Sequence, residues 1–281
     1  MEVLHTVAEL RQWSRQERND GGNTIGLVPT MGALHAGHAS LIRAATTSVS
    51  FVAVSIFVNP TQFGPNEDYA RYPRTFEADC ALAQAEGADV IFAPAVEELY
   101  PPGAATFVEV EGLSSRLDGA SRPGHFRGVA TVVAKLLIAT EADRAFFGQK
   151  DAAQVAVLRR MVTDLRLHAE IVVCPIVREP DGLALSSRNR YLSPAERTKA
   201  LVLSRAVRQA EALAASGERR ASTLLEAARQ AFAAVPEIRI DYIAAVDWST
   251  LEPVEIAVPG TLFAVAAWVG PTRLIDNAIL P

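Results

Sequence analysis

A chain of 281 residues, 49% hydrophobic and 21% charged, is long enough to bury a large core, and typical domain sizes suggest two domains. Its formal net charge of −5 offers no basic footprint for nucleic acid, and no apolar run nears the roughly 20 residues that span a bilayer. Two cysteines give no disulfide framework, and the opening MEVLHTVAELRQW lacks a basic stretch ahead of an apolar one, so a cytoplasmic protein is expected.

The spacing predicts a helix over TVAELRQWSRQER, stopped by the run Asn19, Asp20, Gly21, Gly22, then a strand over 24–28. A glycine-punctuated turn, VPTMGALHAGH, follows; HASLIRAATTS reads as a helix opened by His38, and FVAVSIFV as a strand buried on both faces. A second cycle is the helix TFEADCALAQAEGA, stopped by Gly87, and the strand DVIFAP. A helix over 127–140, the strand RAFFG, a helix over 151–163 and EIVVCPIV continue the alternation. The fold class is therefore α/β, a doubly wound Rossmann-like parallel sheet.

Near Ser193 the texture changes. SPAE joins a Ser N-cap, a Pro at the first helical position and a Glu three residues after the cap. A long Ala-rich helix to Ser216-Gly217, another over 221–234 and three β-rich segments (IRIDYIAAVD, LFAVAAWVG, TRLIDNAIL) suggest a smaller α+β domain. The division is drawn as 1–184 and 185–281.

Four clusters and one further segment could carry chemistry, each with a plainer alternative. His35 and His38 flank Gly37 after a strand, where backbone N–H groups and a helix N-terminus favour phosphate, although histidines can equally brace a turn. Asn59 and Gln62 follow the strand FVAVSIFV and suit a small polar substrate, or are turn residues of a Pro/Gly connector. In FFGQKD, Lys150 could meet a polyphosphate and Asp151 a ribose or a metal-bound water; Asp151 is also a plausible N-cap, with Gln154 on the helix surface. Ser186, Ser187 and Arg188 could cradle a triphosphate or be a polar linker. In RPGHFRGVATVV, Arg122, His125 and Arg127 could touch anions or face solvent. Doubly wound topology would bring strand ends to one rim, so nucleotide binding is the common reading.

The stretches VPTMGALHAGH, FVNPTQFGPNEDYARYPRT, RPGHFRGVATVVAKLL, FFGQKDAAQ and LSSRNRYLS, in this order, closely resemble the pantothenate synthetase (pantoate–β-alanine ligase) family, whose HxGH element is shared with nucleotidyltransferases and some aminoacyl-tRNA synthetases. The resemblance implies ATP-dependent condensation of pantoate with β-alanine through pantoyl adenylate, giving pantothenate, AMP and pyrophosphate. By matching position it implies an ATP site of Pro29, Thr30, Met31, Gly32, Ala33, Leu34, His35, Ala36, Gly37 and His38, with Gly148, Gln149, Lys150, Asp151, Val177, Leu185, Ser186, Ser187 and Arg188. His38, His35 and Lys150 carry the catalytic expectation; Gln62, Gln154, Asn59 and Met31 the substrate contacts.

It further implies Mg²⁺ beside ATP, its protein ligands unknown and Asp79 only a guess, a homodimer, and a C-terminal cover with the 186–188 linker ordering over ATP. Departures from the family's usual pattern are Gln149 for an acid, Ala152 and Ala153 for Tyr-Gln, and Leu185 for Met. The rivals are another HxGH nucleotidyltransferase and a nucleotide-sensing module without turnover. The Gln62 and Gln154 pair argues against the first, the presence of His38 and Lys150 against the second.

Overall fold

Glu2–Leu4 forms β1, a strand too short for any sequence period to announce; its pairing with β4 makes it one. Val7–Arg18 is α1, with Leu10, Trp13 and Ser14 turned inward and the Glu9 carboxylate accepting the N–H groups of His5 and Thr6, 2.9 Å from each. This computed structural model describes residues 1–18, 21–65 and 67–281, so Asn19 and Asp20 of the expected helix stop lie outside the described residues, while Gly21 and Gly22 turn the chain at φ of +74° and +95°.

β2 (Ile25–Thr30) runs two residues further than the sequence suggests, carrying Pro29 and Thr30 into register with Ser55 and Ile56. Then come α2 (Ala36–Thr46), β3 (Phe51–Ile56), α3 (Phe76–Ala85) and β4 (Val90–Phe92), followed by two short helical turns, α4 (Val96–Leu99) and α5 (Asp118–Ser121). α6 (His125–Thr140), β5 (Arg144–Gly148), α7 (Ala152–Asp164) and β6 (Glu170–Cys174) complete the alternation.

By its contacts the chain forms two units, the first Met1–Gly148 with Val157–Cys174, the second Gln149–Ala156 with Pro175–Pro281. The change of texture read near residue 185 thus falls within the second unit, because the segment after β6 already pairs there: Arg178 bridges Ala184.

In the first unit all six strands are parallel, in the order β1-β4-β3-β2-β5-β6. This is the Rossmann-like doubly wound class. Val28, Val54, Ile91 and Phe146 of the strands bury against Leu41, Ile42 and Ala45 of α2 and Ala83 of α3. Each large apolar side chain so removed from water stabilises the fold by about 1.5–3 kcal/mol. The chain winds outward from β2 in one direction and from β5 in the other, so the order reverses between them; crevices outside the carboxyl ends of strands at such reversals are where open α/β sheets hold ligands.

In the second unit, α8 (Pro194–Ala215) begins as the sequence foretells, with Ser193 and Glu196 forming a reciprocal capping box. α8 and α9 (Ala221–Ala233) lie on an antiparallel sheet of β7 (Arg239–Val246), β8 (Leu262–Val269) and β9 (Thr272–Ile279). The α-helical alanines Ala200, Ala206, Ala210 and Ala228, fully buried, let the helices approach closely over Phe263 and Val265.

Candidate active site

Turn Met31–His35 leaves the carboxyl end of β2 beside the reversal point. Gly32 and Ala33 both take positive φ, +82° and +51°, and for alanine this left-handed conformation is strained. Asp79 holds it. Its carboxylate, 2% exposed, accepts Ala33 N–H at 2.9 Å, Leu34 N–H at 2.8 Å and the Thr75 hydroxyl at 3.1 Å. A Cβ on Gly32 would stand 3.0 Å from Asp79 Oδ2 and at a φ of +82°, so a side chain there would strain the turn and press on its clamp. Thr30 fastens the other side, donating to Ser55 O at 2.7 Å and accepting Gly32 N–H at 3.1 Å.

The sequence has His38 opening the helix; in fact His35 is the N-cap of α2 and His38 lies in its first turn. His35 Nδ1 accepts Gly37 N–H at 3.1 Å, and His38 Nδ1 accepts His35 N–H at 3.3 Å. The rings stack, their centroids 4.1 Å apart. A ring nitrogen that accepts an N–H carries no proton, so in each neutral imidazole the proton sits on Nε2. Each ring therefore carries an N–H donor at a helix N-terminus, chemistry suited to anionic oxygen.

After β3, Asn59 is fully buried, with both ends of its amide engaged. Its Nδ2 donates to Gln62 Oε1 at 3.0 Å and to Gly128 O at 3.1 Å; its Oδ1 accepts from Thr61 N at 3.3 Å and Thr61 Oγ1 at 2.9 Å. Asn59 thus orients Gln62 from within. Gln62 Nε2 lies 3.1 Å from Met31 Sδ, which joins the first two clusters. Helix α6 reaches this connector because residue 128 is glycine; a Cβ would fall 2.4 Å from Thr61 O and 2.6 Å from Gln62 N.

Arg122 and His125, offered by the sequence as anion contacts, are committed elsewhere. Arg122 grips Glu67 with two hydrogen bonds of 2.8 and 2.6 Å, and its Nη1 is 2.8 Å from His125 Nε2. His125 Nδ1 donates to Gln62 O at 2.9 Å. Burial, then the Arg122 charge, depresses the His125 pKa to about 4. Burial pushes Glu67 upward, but hydrogen bonding and the charge of Arg122 outweigh it and hold this carboxyl low. Arg127 stacks over Phe107 at 3.8 Å. Glu67 and the holding role of Asp79 were missed by sequence reasoning, since their partners lie far along the chain.

Gly148 ends β5. In the second unit, Gln149–Asp151 is a 3₁₀ turn leading into α7, with Asp151 directly before the first residue of the helix and Gln154 half-buried in its first turn. Lys150 Nζ is 3.9 Å from Asp151 Oδ1. Leu185 N–H donates to Val177 O at 2.9 Å, which brings those two expected contacts together. Ser186 caps a 3₁₀ turn, Ser187–Tyr191, through Arg188 N–H, and buried Asn189 ties that turn to Glu179 and Ala184 O. The expected polar linker is a defined turn.

Among the described residues no group of three His, Cys, Asp or Glu side chains is arranged to hold a metal ion. Asp79 has both oxygens engaged on the 33–34 turn and does not fit as a ligand of Mg²⁺.

Residues 2–279 match the family model described as pantoate-beta-alanine ligase. Pantothenate synthetase of Acidobacterium capsulatum is 60% identical over 290 residues, covering 100% of this chain and 97% of that protein. The crystal structure of pantothenate synthetase from Thermus thermophilus superposes with a TM-score of 0.94 at 50% identity, each chain covered in full. That of the Francisella tularensis enzyme, complexed with beta-gamma ATP and beta-alanine, gives 0.80 at 33% identity, covering 99% of this chain and 97% of that one. With the reversal point, the histidine turn and the glutamine connector in the arrangement described, the chain belongs to the pantoate-β-alanine ligase family.

Proposed function

We propose that this protein joins pantoate to β-alanine using ATP, giving pantothenate, AMP and pyrophosphate. The observation that carries this reading is the family match along residues 2–279. In the first step a pantoate carboxylate oxygen attacks the α-phosphorus of ATP and pyrophosphate departs. In the second, the β-alanine amine attacks the acyl carbon of pantoyl adenylate, the acyl–oxygen bond breaks, AMP leaves and the nitrogen gives up a proton. A carboxylate alone is a poor acceptor for an amine; adenylation supplies the leaving group, and binding supplies proximity.

His38 and His35 are assigned to the phosphate oxygens, where negative charge grows as the α-phosphorus is attacked. Their Nε2–H donors, set by backbone hydrogen bonds on the opposite ring nitrogen, have the chemistry to stabilise that charge. The backbone from Pro29 to Gly37 is assigned to ATP, as are Gly148, Gln149, Asp151, Val177, Leu185, Ser186, Ser187 and Arg188. Lys150 is assigned to a phosphate as a point charge, and Gln62 with Gln154 to pantoate, Met31 and buried Asn59 supporting Gln62. Mg²⁺ is proposed as a companion of the ATP phosphates, with no step assigned to it. A cytoplasmic homodimer, with the second unit's 186–188 turn covering bound ATP, completes the proposal.

The test is release of pyrophosphate and AMP from ATP. Pantoate alone should give pyrophosphate without sustained AMP; adding β-alanine should give steady AMP with pantothenate. Absence of pantoate-dependent pyrophosphate overturns the reading.

A further inference from the structure

Lysine side chains are long and flexible, so a point charge is only as well placed as the backbone beneath it. Under Lys150 that backbone is a 3₁₀ turn, and its carbonyls are gripped by one side chain. Asn277 Nδ2 donates to Gln149 O at 3.0 Å and to Lys150 O at 2.9 Å, and Asn277 Oδ1 accepts from Gln149 Nε2 at 3.2 Å. Both amide protons and the amide oxygen are engaged, with 4% of the residue exposed.

Asn277 is fixed in turn. Its N–H donates to Asp276 Oδ1 at 2.8 Å, and the Asp276 carboxylate takes a two-pronged grip from Arg178 at 2.7 and 2.9 Å. Arg178 also donates to Gly182 O at 3.1 Å. The tether therefore runs from Arg178 through Asp276 and Asn277, on β9, to the turn carrying Lys150. Gln149 takes part through its amide.

We propose that Asn277 is a positioning residue for Lys150: it sets the turn from which the ammonium reaches phosphate, and touches no substrate itself. The inference rests on the assignment of Lys150 to ATP phosphate. It predicts that truncating Asn277 slows adenylation by moving Lys150, and that the effect disappears when Lys150 has no ammonium to place.

The experiment is a double-substitution cycle on the full-length protein, measuring kcat and KM for pantoate-dependent pyrophosphate release, with thermal melting of each variant. N277A should lower kcat by about 10²-fold, the scale on which misplacement by about an ångström acts. N277D, equal in size but without the amide donor, should be at least as slow. N277S keeps one hydroxyl donor, should fall between N277A and the parent, and serves if N277A fails to fold. In a K150A background, N277A should cost no further rate while lowering the melting temperature as before.

Multiplying rate losses, or a lowered melting temperature with an unchanged kcat, overturns the proposal and leaves Asn277 a structural residue. Loss of rate in N277A together with full activity in K150A overturns instead the assignment of Lys150.

Discussion

Arg122 Nη1 stands 2.8 Å from His125 Nε2, so the imidazole accepts from a cation and stays neutral within the wall behind Gln62. Its pKa falls from 6.5 to about 4, burial being the larger cause. Between those values the unfolded chain binds a proton that the folded chain does not, so stability should rise with pH across that window and level off above it. The full contribution is roughly 3 kcal/mol. Glu67 acts in the same direction at lower pH: its stabilisation is present above 4.5 and lost as pH falls through the depressed folded value. Urea unfolding across the acid range should show this slope in the parent protein and a shallower one in H125Q.

H38A should depress pantoate-dependent pyrophosphate release by about 10²–10³-fold, the loss typical of one donor on developing charge. Because His38 also accepts His35 N–H at the start of α2, the substitution should cost about 1 kcal/mol in stability. Stopped assays of pyrophosphate with parallel melting curves separate the two. Near-parent adenylation would remove the role given to His38.

D79A leaves the N–H groups of Ala33 and Leu34 without their acceptor in a strained turn, and should destabilise by about 2 kcal/mol or more while raising KM for ATP. D79N, which keeps an acceptor, should lose less. Neither should shift the Mg²⁺ concentration that half-saturates the reaction; a marked shift would restore Asp79 as a metal ligand.

G128A brings a methyl group to within 2.4 Å of Thr61 O, so α6 or the connector must move. Overpacking of this kind costs about 1–3 kcal/mol. Since the displaced atoms adjoin Gln62, KM for pantoate should rise more than KM for ATP, which steady-state kinetics with each substrate varied will report.

Features that were legible in the sequence are those whose physics is local. The SPAE start of α8 needs only Ser193 and Glu196, one helical turn apart, and the apolar runs of β3 and β4 announce buried parallel strands. The histidine turn was legible because glycine, histidine and a strand end coincide within a few residues. Less visible were the partners. Asp79 serves backbone 45 and 46 residues earlier, Asn277 serves backbone 127 and 128 residues earlier, and Glu67 meets Arg122 across 55. A lone carboxylate or amide in a sequence does not reveal whether it faces a ligand or a buried N–H. Asn59 and Arg122 show this: each has chemistry suited to substrate, and each has internal partners that its own stretch of sequence does not announce.

The pinned tautomers of His35 and His38 bear on the proton inventory of the reaction. In each ring Nδ1 meets a backbone N–H, which leaves the hydrogen of the neutral imidazole on Nε2. Rings held in this tautomer give a hydrogen bond from Nε2 and take up no proton there. In that tautomer neither ring is the base for the proton that β-alanine sheds as its nitrogen becomes an amide.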